Sequence, residues 1–375
     1  MTDRPNCPAS SLVLLGCLLP HLLSGASATN ALPNVPRWGQ AISTHMAAGY
    51  NNNLLLSSTF RESSPSLFGG VEATVWRMPG DGSELFFFLK GDYIRYLPDR
   101  TLEDEHLAYL VALGRRKLSE HWKAGLQLQA VYQSTVVDAS ATEAQLVPLP
   151  VKGYTLAALP EVRRELGRGW WTTLEGAARR QWFDGRLDDY WEGGPRLIAG
   201  RQYARRSNAQ LAYKYLFRDY DTRLAPDEKG FPTAGRGLTY QLHELALANT
   251  HHFDERRRWR LNSKAGAAIN LDNGSGYWDF VRYELSERLR FAPPGFTVEG
   301  QARALHYNYI NQTSTGLSGA PRRYLATIQL GIKITKRLGP HLNAFAEYAH
   351  DWNLSNRSIN EYDADRVKGG IEWQF

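Results

Sequence analysis

The chain has 375 residues, of which 43% are hydrophobic, 12% aromatic and 22% charged, and its formal net charge is +6. The high aromatic content argues against a disordered chain, which lacks such residues to bury. Only one apolar run approaches the roughly 20 residues of a membrane-spanning helix, so a helical membrane bundle is excluded. The basic residues are dispersed rather than clustered, so nucleic acid is not an expected partner.

The first 28 residues have the pattern of a secretory signal peptide. Arg4 precedes a largely apolar stretch from Leu12 to Leu23, and Ala26-Ser27-Ala28 offers a small-residue cleavage site. Both cysteines, Cys7 and Cys17, lie in the segment that cleavage would remove. We therefore expect a mature chain without disulfides, which a large core or a membrane must stabilise instead.

An alternative interpretation of the N-terminus is a lipoprotein box. Leu14-Leu15-Gly16-Cys17 resembles such a box, in which the cysteine is lipidated. The apolar stretch continues past Cys17 from Leu18 to Leu23, whereas lipoboxes usually end it. We favour the signal peptide at 1–28, followed by a periplasmic segment at 29–41 and a single β domain at 42–375.

From Ile42 onward the apolar residues alternate with polar ones, which is typical of β-strands with two different faces. Clear examples run from Trp122 to Tyr132, from Trp259 to Leu271 and from Tyr324 to Ile334. The alternation extends over about 10 to 13 residues, whereas strands of globular proteins usually have about 5 to 6. A tilted strand needs about 9 to 11 residues to cross a membrane.

The connections between these strands alternate in length. Counting fifteen of them predicts sixteen strands, and an even number with short turns on one side and long loops on the other is typical of outer-membrane barrels. A β-propeller is the alternative, because its blades repeat about every 40 to 45 residues, but it needs shorter strands than these. The short turns are expected at 79–83, 119–121, 165–169, 205–207, 254–257, 293–295 and 338–340, and the long loops at 51–66, 98–104, 138–150, 184–189, 224–237, 272–276, 309–321 and 352–362.

The predicted fold class is thus all-β, a transmembrane antiparallel β-barrel of about 16 strands (14–16), with short periplasmic turns and longer extracellular loops. Tryptophans near the predicted strand ends agree with it, since an indole has an apolar body and a polar N–H and suits a lipid interface. The expected membrane-girdle residues are Trp76, Trp122, Trp170, Trp259, Trp278 and Trp373.

The last strand carries a second indication of the membrane. Val367, Gly369, Ile371, Trp373 and Phe375 share one face of it. A terminal phenylalanine that closes an alternating strand resembles the assembly signal of bacterial outer-membrane β-barrels. The resemblance implies an outer-membrane location, surrounding lipid, and recognition of Phe375 by the barrel-assembly machinery. It identifies no subfamily and hence no specific activity.

Sites for catalysis, metals or cofactors are not evident. No P-loop, dinucleotide fingerprint, zinc spacing or Gly-x-Ser-x-Gly elbow is present, so we predict neither a metal nor a cofactor and no enzyme activity. The nearest approaches to a catalytic group are His251-His252 with Asp254, and His306 with His350 and Asp351. Interface and turn positions explain these histidines better than catalysis does.

The polar faces of the strands suggest a function. If the apolar faces meet lipid, many basic side chains point into the lumen, where they attract anions or form a lattice of salt bridges that braces the wall. We predict a porin-like channel for small hydrophilic solutes, with anions as the candidate class. The alternatives are a non-conducting barrel that anchors or helps to export a polysaccharide or lipoprotein, and an outer-membrane hydrolase. The candidates for the lumen are Arg258, Arg260, Lys264, Arg282, Arg288, Arg290 and Arg303.

Overall fold

The computed structural model describes residues 38–77, 82–97, 101–138, 148–185, 187–316 and 319–375. In these ranges sixteen antiparallel strands follow one another, each hydrogen-bonded to the next, and the last pairs with the first to close a barrel. The predicted fold class and the strand number of sixteen are confirmed. The expected signal peptide at 1–28 and most of the expected periplasmic segment lie outside the described residues.

The strands are β1 (Trp38–Asn51), β2 (Ser64–Arg77), β3 (Ser83–Tyr96), β4 (Asp104–Lys117), β5 (Trp122–Asp138), β6 (Pro148–Gly167), β7 (Trp170–Asp184), β8 (Tyr190–Ala204), β9 (Ser207–Pro226), β10 (Pro232–His252), β11 (Trp259–Asp272), β12 (Phe280–Phe291), β13 (Phe296–Thr313), β14 (Arg322–Arg337), β15 (Leu342–Ser355) and β16 (Tyr362–Gln374). A single 3-10 turn, Ser358–Asn360, precedes β16. Within the ranges given above, no helix is long and apolar enough to cross a bilayer.

The strand boundaries differ from the predicted ones in several places, and β13 and β15, for example, extend into the predicted loops at 309–321 and 352–362. β1 begins at Trp38, four residues before the expected barrel start at Ile42, because it pairs along the full length of β2 as far as Arg77. The predicted loop at 224–237 is mostly strand, since β9 and β10 remain paired up to Pro226 and Pro232. Their ladder shifts register on both sides of Gly237, so the residues that indicated a loop lie in an irregular part of the hairpin.

Short and long connections alternate around most of the barrel as predicted. The exception is the β9–β10 connection at 227–231, which is one residue shorter than the next connection at 253–258. Two connections have only two residues, and one of them joins β6 to β7 through Arg168 and Gly169, whose φ angles are +51° and +79°. Two successive residues with positive φ form the type I′ turn that suits the twist of a tight hairpin. β1 begins and β16 ends at the short-turn end of the barrel. We refer to this end as periplasmic and to the long-loop end as extracellular.

The two faces of the wall differ in character. On β12, Tyr283 and Leu285 are each 52% exposed on the outside, whereas their neighbours Arg282 and Glu284 form ion pairs on the inside. The outer face of β14 likewise exposes Ile332. Large apolar residues cover the outer surface of the other strands in the same way, as an apolar face in contact with lipid requires.

Three clusters of buried apolar residues lie at the extracellular end of the described barrel. One cluster contains Leu54, Leu55, Tyr96 and Leu102, at the first two long loops. Two others contain Tyr220 with Ala225 and Leu238, and Tyr307 with Tyr309 and Leu325. These clusters hold the long loops against the ends of the strands.

The orientation of the barrel predicts which connections can be reached from outside the cell. An epitope inserted at 227–231, between β9 and β10, should bind antibody on intact cells. An epitope inserted at 292–295, between β12 and β13, should bind only after the outer membrane is permeabilised. Flow cytometry before and after permeabilisation measures both, and exchanged results would show that the orientation is reversed.

Closure of the barrel predicts the effect of changing the last residue. The Phe375 N–H donates to the Ile42 carbonyl at 2.9 Å, and the ring is 70% exposed on the outer face. Phe375→Asp should strongly reduce the amount of inserted protein, because it puts a charge on the apolar face and removes the expected assembly signal. Phe375→Leu is the control for lipid contact alone. The folded barrel in outer-membrane fractions is quantified by its heat-modifiable migration on gels.

Candidate functional site: a positively charged inner wall

The inner face of β9 to β13 carries most of the positive charge in the lumen. Eight cationic side chains point inward from these five strands between their ends, together with only three carboxylates. The assignment follows from the alternation of each strand, since residues such as Leu245 and Leu247 are more than half exposed on the outer face. The cations are Lys214, Arg218, Arg260, Lys264, Arg282, Arg288, Arg290 and Arg303, and the carboxylates are Glu244, Glu284 and Glu299.

Glu244 on β10 is the centre of the first ion-pair group. Its carboxylate lies 2.9 Å from Lys214 Nζ and 2.8 Å from Arg282 Nη2. Lys264 Nζ is 4.0 Å away on the other side. One carboxylate thus holds three cations from β9, β11 and β12, and the side chain of Glu244 is only 12% exposed.

Glu284 on β12 extends this group along the wall. It lies 2.8 Å from Lys264 Nζ, so that Lys264 bridges the two carboxylates. Arg303 on β13 donates to Glu284 from two nitrogens, at 3.0 and 3.2 Å. Together with Glu244, Lys214 and Arg282, these residues form the group that we call the mid-wall cluster. It contains four cations and two carboxylates, so it keeps an excess of two positive charges.

A second group lies near the periplasmic end of the same wall, and we call it the mouth cluster. Arg260 on β11 is directly opposite Arg290 on β12 in the register. Glu299 on β13 lies 2.5 Å from Arg288 Nη2 and 3.1 Å from Arg290 Nε. Arg260 has no carboxylate partner in the part of the chain that the structure describes, and its buried Nε has no hydrogen-bond partner there.

Arg258, another predicted lumen residue, does not belong to the mouth cluster. It lies in the turn between β10 and β11, where its Nε donates to Asp254 Oδ2 at 2.9 Å. Desolvation acts to raise the pKa of Asp254, but the N–H of Trp259 and the Arg258 guanidinium outweigh it, so the pKa is below its usual value. Asp254 therefore remains ionised and keeps Arg258 in the turn.

The opposite wall, β1 to β8, has no such excess. Most of its charges form one-to-one pairs, such as Arg196 with Glu175 at 3.4 Å and Arg163 with Glu165 at 2.8 Å. The inward cations there are Lys90, Arg115, Lys117, Lys123, Arg163, Arg179 and Arg196, and the inward carboxylates are Glu72, Glu84, Asp92, Glu105, Glu161, Glu165, Glu175 and Glu192. Seven cations against eight carboxylates leave the positive field on one side of the lumen.

The remaining strands, β14 to β16, add little to this asymmetry. Lys368 lies 3.1 Å from Glu347, and Arg366 lies 2.9 Å from Asp351. Arg323 is 4% exposed near the extracellular end, where its guanidinium covers the ring of Tyr309. These residues brace the wall rather than extend the positive surface.

Sequence reasoning missed several inward carboxylates, and Glu244 is the most important of them. The inner face of β10 also presents Leu238, Ala246 and Ala248, so that both of its faces look apolar. The alternation that identifies a polar face is therefore weak on this strand. A search for single charged residues within mostly apolar strands would have found Glu244.

Of the six predicted girdle tryptophans, four lie on the outer face near the periplasmic end. Trp122, Trp170, Trp259 and Trp373 are 38 to 46% exposed there. Trp76 does not lie in the girdle as expected, because its ring lies against Gly39 on the inner face. Trp278 does not lie in the girdle either, because it packs against the extracellular apolar clusters beneath the loops.

The histidines that were considered for catalysis do not form a common site, because the barrel wall separates His306 and His350 from Asp351. His306 lies on the outer face, where its Nε2 is 2.9 Å from Asn308 Oδ1. Asp351 points inward to Arg366, whereas its neighbour His350 points outward to Asp365. His252 Nδ1 is 3.1 Å from the Arg206 carbonyl in a periplasmic turn. None of these contacts joins His306 or His350 to Asp351.

Comparisons with known proteins give matches in structure alone. No family model and no curated protein sequence matches the chain. OccAB1 from Acinetobacter baumannii is similar over 90% of this chain and 97% of its own, with 9% identity and a TM-score of 0.47. A BenF-like porin from Pseudomonas fluorescens Pf-5 gives 9% identity, 90% and 98% coverage and 0.48. An anion-selective porin from Comamonas acidovorans gives 12%, 90% and 99%, and 0.46.

The class of the protein follows from its own architecture. A segment inside a bilayer must satisfy its backbone polar groups internally, which only helices and closed barrels do. This chain forms a closed barrel whose outer face is apolar and whose inner face is charged. It is therefore an outer-membrane type of β-barrel, as the sequence predicted.

The mid-wall cluster predicts a stability effect at Glu244. Glu244→Gln leaves Lys214 and Arg282 without their carboxylate, which should lower the free energy of unfolding by about 1 to 3 kcal/mol for these partly exposed ions. Glu347→Gln is the matched control, because it removes one carboxylate from a single pair with Lys368. Urea unfolding in lipid vesicles, followed by tryptophan fluorescence, measures both. Equal losses of unfolding free energy in the two variants would show that Glu244 contributes no more than a carboxylate in a single ion pair.

Proposed function

We propose that the protein is an outer-membrane channel for small hydrophilic anions. The observation that carries the proposal is the one-sided charge of the lumen, where β9 to β13 present eight inward cations and three carboxylates. Arg218 pairs with Glu192 of β8 at 2.7 Å, and the other seven cations still exceed the three carboxylates of their own wall. Sixteen strands leave an aqueous channel rather than a filled interior. An anion inside the barrel would be attracted to β9–β13 and would find no comparable surface on β1–β8.

The mouth cluster supports the proposal by its unsatisfied charge. It contains three cations, Arg260, Arg288 and Arg290, but one carboxylate, Glu299, which pairs with Arg288 and Arg290 only. Residues directly opposite each other in neighbouring strands have Cβ atoms about 4.5 to 5.5 Å apart, so Arg260 and Arg290 repel each other unless an anion or water lies between them. Guanidinium groups present planar pairs of donors that fit carboxylates and phosphates. The cluster would therefore favour a solute with such a group.

The mid-wall cluster would take up the anion next. Arg282 lies six residues from Arg288 along β12, which corresponds to about 20 Å of strand. Its cations are partly neutralised by Glu244 and Glu284. An anion would be attracted there without being bound tightly, and conduction requires this balance between entry and release.

Two other functions remain as alternatives from the sequence, a non-conducting barrel that assists export of a surface partner and an outer-membrane hydrolase. Recordings of the purified protein in planar bilayers separate them. Steady open currents support the channel, absence of current supports the export role, and lipid or peptide hydrolysis supports the enzyme. The charged lumen favours the channel, since a scaffold needs no one-sided field.

The proposal predicts the effect of removing cations from the positive wall. The triple variant Arg260→Gln, Arg282→Gln and Arg288→Gln should shift the reversal potential in a salt gradient towards cation preference. Arg290 and Lys264 still pair with the carboxylates, so the barrel should assemble. The shift should shrink at high ionic strength, because the Debye length falls to about 3 Å at 1 M salt.

The matched control removes three cations from the opposite wall, by Lys123→Gln, Arg163→Gln and Arg196→Gln. It changes the net charge of the lumen by the same amount but leaves β9–β13 intact. We expect a clearly smaller shift than for the first variant. Equal shifts in the two variants would mean that total charge, and not the positive wall, determines ion preference.

A further inference from the structure

A row of polar side chains crosses the outer face of the barrel, where apolar residues are expected. Asn249 on β10 is directly opposite Ser263 on β11, and Ser263 is directly opposite Glu287 on β12. All three point outward, since their neighbours Leu247 and Leu289 are exposed at 54% and 40%. We call these three residues the outer polar row.

Hydrogen bonds connect the residues of the row but leave some of their polar groups without a partner. Ser263 Oγ donates to Glu287 Oε2 at 2.6 Å, and the Tyr203 hydroxyl donates to Asn249 Oδ1 at 2.9 Å. Within the described ranges, no cationic side chain forms an ion pair with Glu287, and the Asn249 amide nitrogen has no partner. The row therefore ends in a free donor on β10 and a carboxylate with spare acceptor capacity on β12.

The row lies inside the apolar belt rather than at its edge. Four residues along each strand towards the periplasm, Phe253, Trp259 and Phe291 form an aromatic row, in which Trp259 and Phe291 stack at 4.2 Å. Four residues correspond to about 13 Å of strand. Aromatic girdles flank an apolar band about 25 Å tall, so the row lies well within hydrocarbon.

The surface next to Glu287 permits close approach of another protein. Gly300 and Ala302 follow it on β13, and the position of a Cβ on Gly300 has no atom within 4 Å. Leu330 and Ile332 on β14 form the far side of this shallow groove. Small residues between large ones let two membrane-embedded surfaces approach closely, and polar side chains then bond across the contact.

We propose that the outer polar row is the contact between two copies of this chain in the membrane. The row is self-complementary, because it has a free donor, Asn249, at one end and a carboxylate, Glu287, at the other. A two-fold axis along the membrane normal brings each end of the row towards the opposite end in the second copy. Each Asn249 amide then donates to the partner's Glu287, and both groups leave the hydrocarbon.

Cysteine cross-linking tests the contact directly, because the described part of the chain contains no cysteine. Ser263 lies at the centre of the row, so Ser263→Cys should give a covalent dimer when isolated outer membranes are oxidised. Ala112→Cys is the matched control, since Ala112 is a small outward residue on β4, across the barrel from β11. A homodimer from Ser263→Cys alone supports the proposal. No dimer above the control level, or a product with another protein, would overturn it.

A second experiment measures the role of the polar groups. Glu287→Leu and Asn249→Leu should each weaken association in lipid vesicles by roughly 5- to 30-fold, as expected for hydrogen bonds between membrane-embedded surfaces. Thr44→Leu on the outer face of β1 is the control and should leave association unchanged. Energy transfer between labelled copies at increasing dilution in lipid gives the dissociation constants. Unchanged association in both row variants would contradict the contact.

The two experiments do not depend on whether the barrel conducts. Each variant is first shown to insert, by its heat-modifiable migration. Glu287→Leu removes a charge from the outer belt, so we expect it to insert at least as well as the natural chain. A dimer that carries no current would contradict the proposed channel but support the proposed contact. A monomer that conducts would support the channel but contradict the contact.

Discussion

The pairing of β16 with β1 is the constraint on which the rest of the structure depends. In hydrocarbon every backbone N–H and C=O must find a partner within the protein, and an open sheet leaves two unpaired edges. Here the last strand pairs with the first from Ser43 to Asn51, which joins the two edges over these nine residues. Closure separates the lipid outside the barrel from the water inside it. Because side chains alternate between the two faces along each strand, each side chain then faces either lipid or lumen. The apolar belt and the charged wall are consequences of this single requirement.

The same register determines the electrostatics of the lumen. Because inward residues of adjacent strands are only about 5 Å apart, a charge on one strand necessarily interacts with two neighbours. On β12 this places Glu284 between Lys264 and Arg303, where attraction stabilises the wall. At the mouth it places Arg260 opposite Arg290, where repulsion remains. The positive wall is thus a product of which strands are neighbours and not of the net charge of the chain.

Sequence reasoning predicted the architecture because the signals for it are local. Alternation within a strand and the contrast between short and long connections predicted sixteen strands, although β9 and β10 extend into the expected loop at 224–237. The partners of the charges were not predictable in the same way, since they depend on the register between strands that are far apart in sequence. Arg282 illustrates this, because its carboxylate is Glu244, 38 residues earlier. Trp278 was assigned to the membrane from its position near a strand end, but the apolar clusters beneath the loops compete for the same indole.

The inner and outer sites are two faces of the same strands. On β12, Arg288 points to the lumen and Glu287 to the outside, and on β11 Arg260 and Ser263 are related in the same way. Two copies that meet along the outer polar row therefore bring their positive walls towards each other, with only the two barrel walls between the lumens. The protein between them excludes water and screens charge poorly, so each wall adds to the potential in the other lumen. In such a dimer the carboxylates of Glu287 would lie between the two walls and would be stabilised by both. Association would thus place a negative charge, unfavourable in lipid, at the most positive location that the barrel can offer.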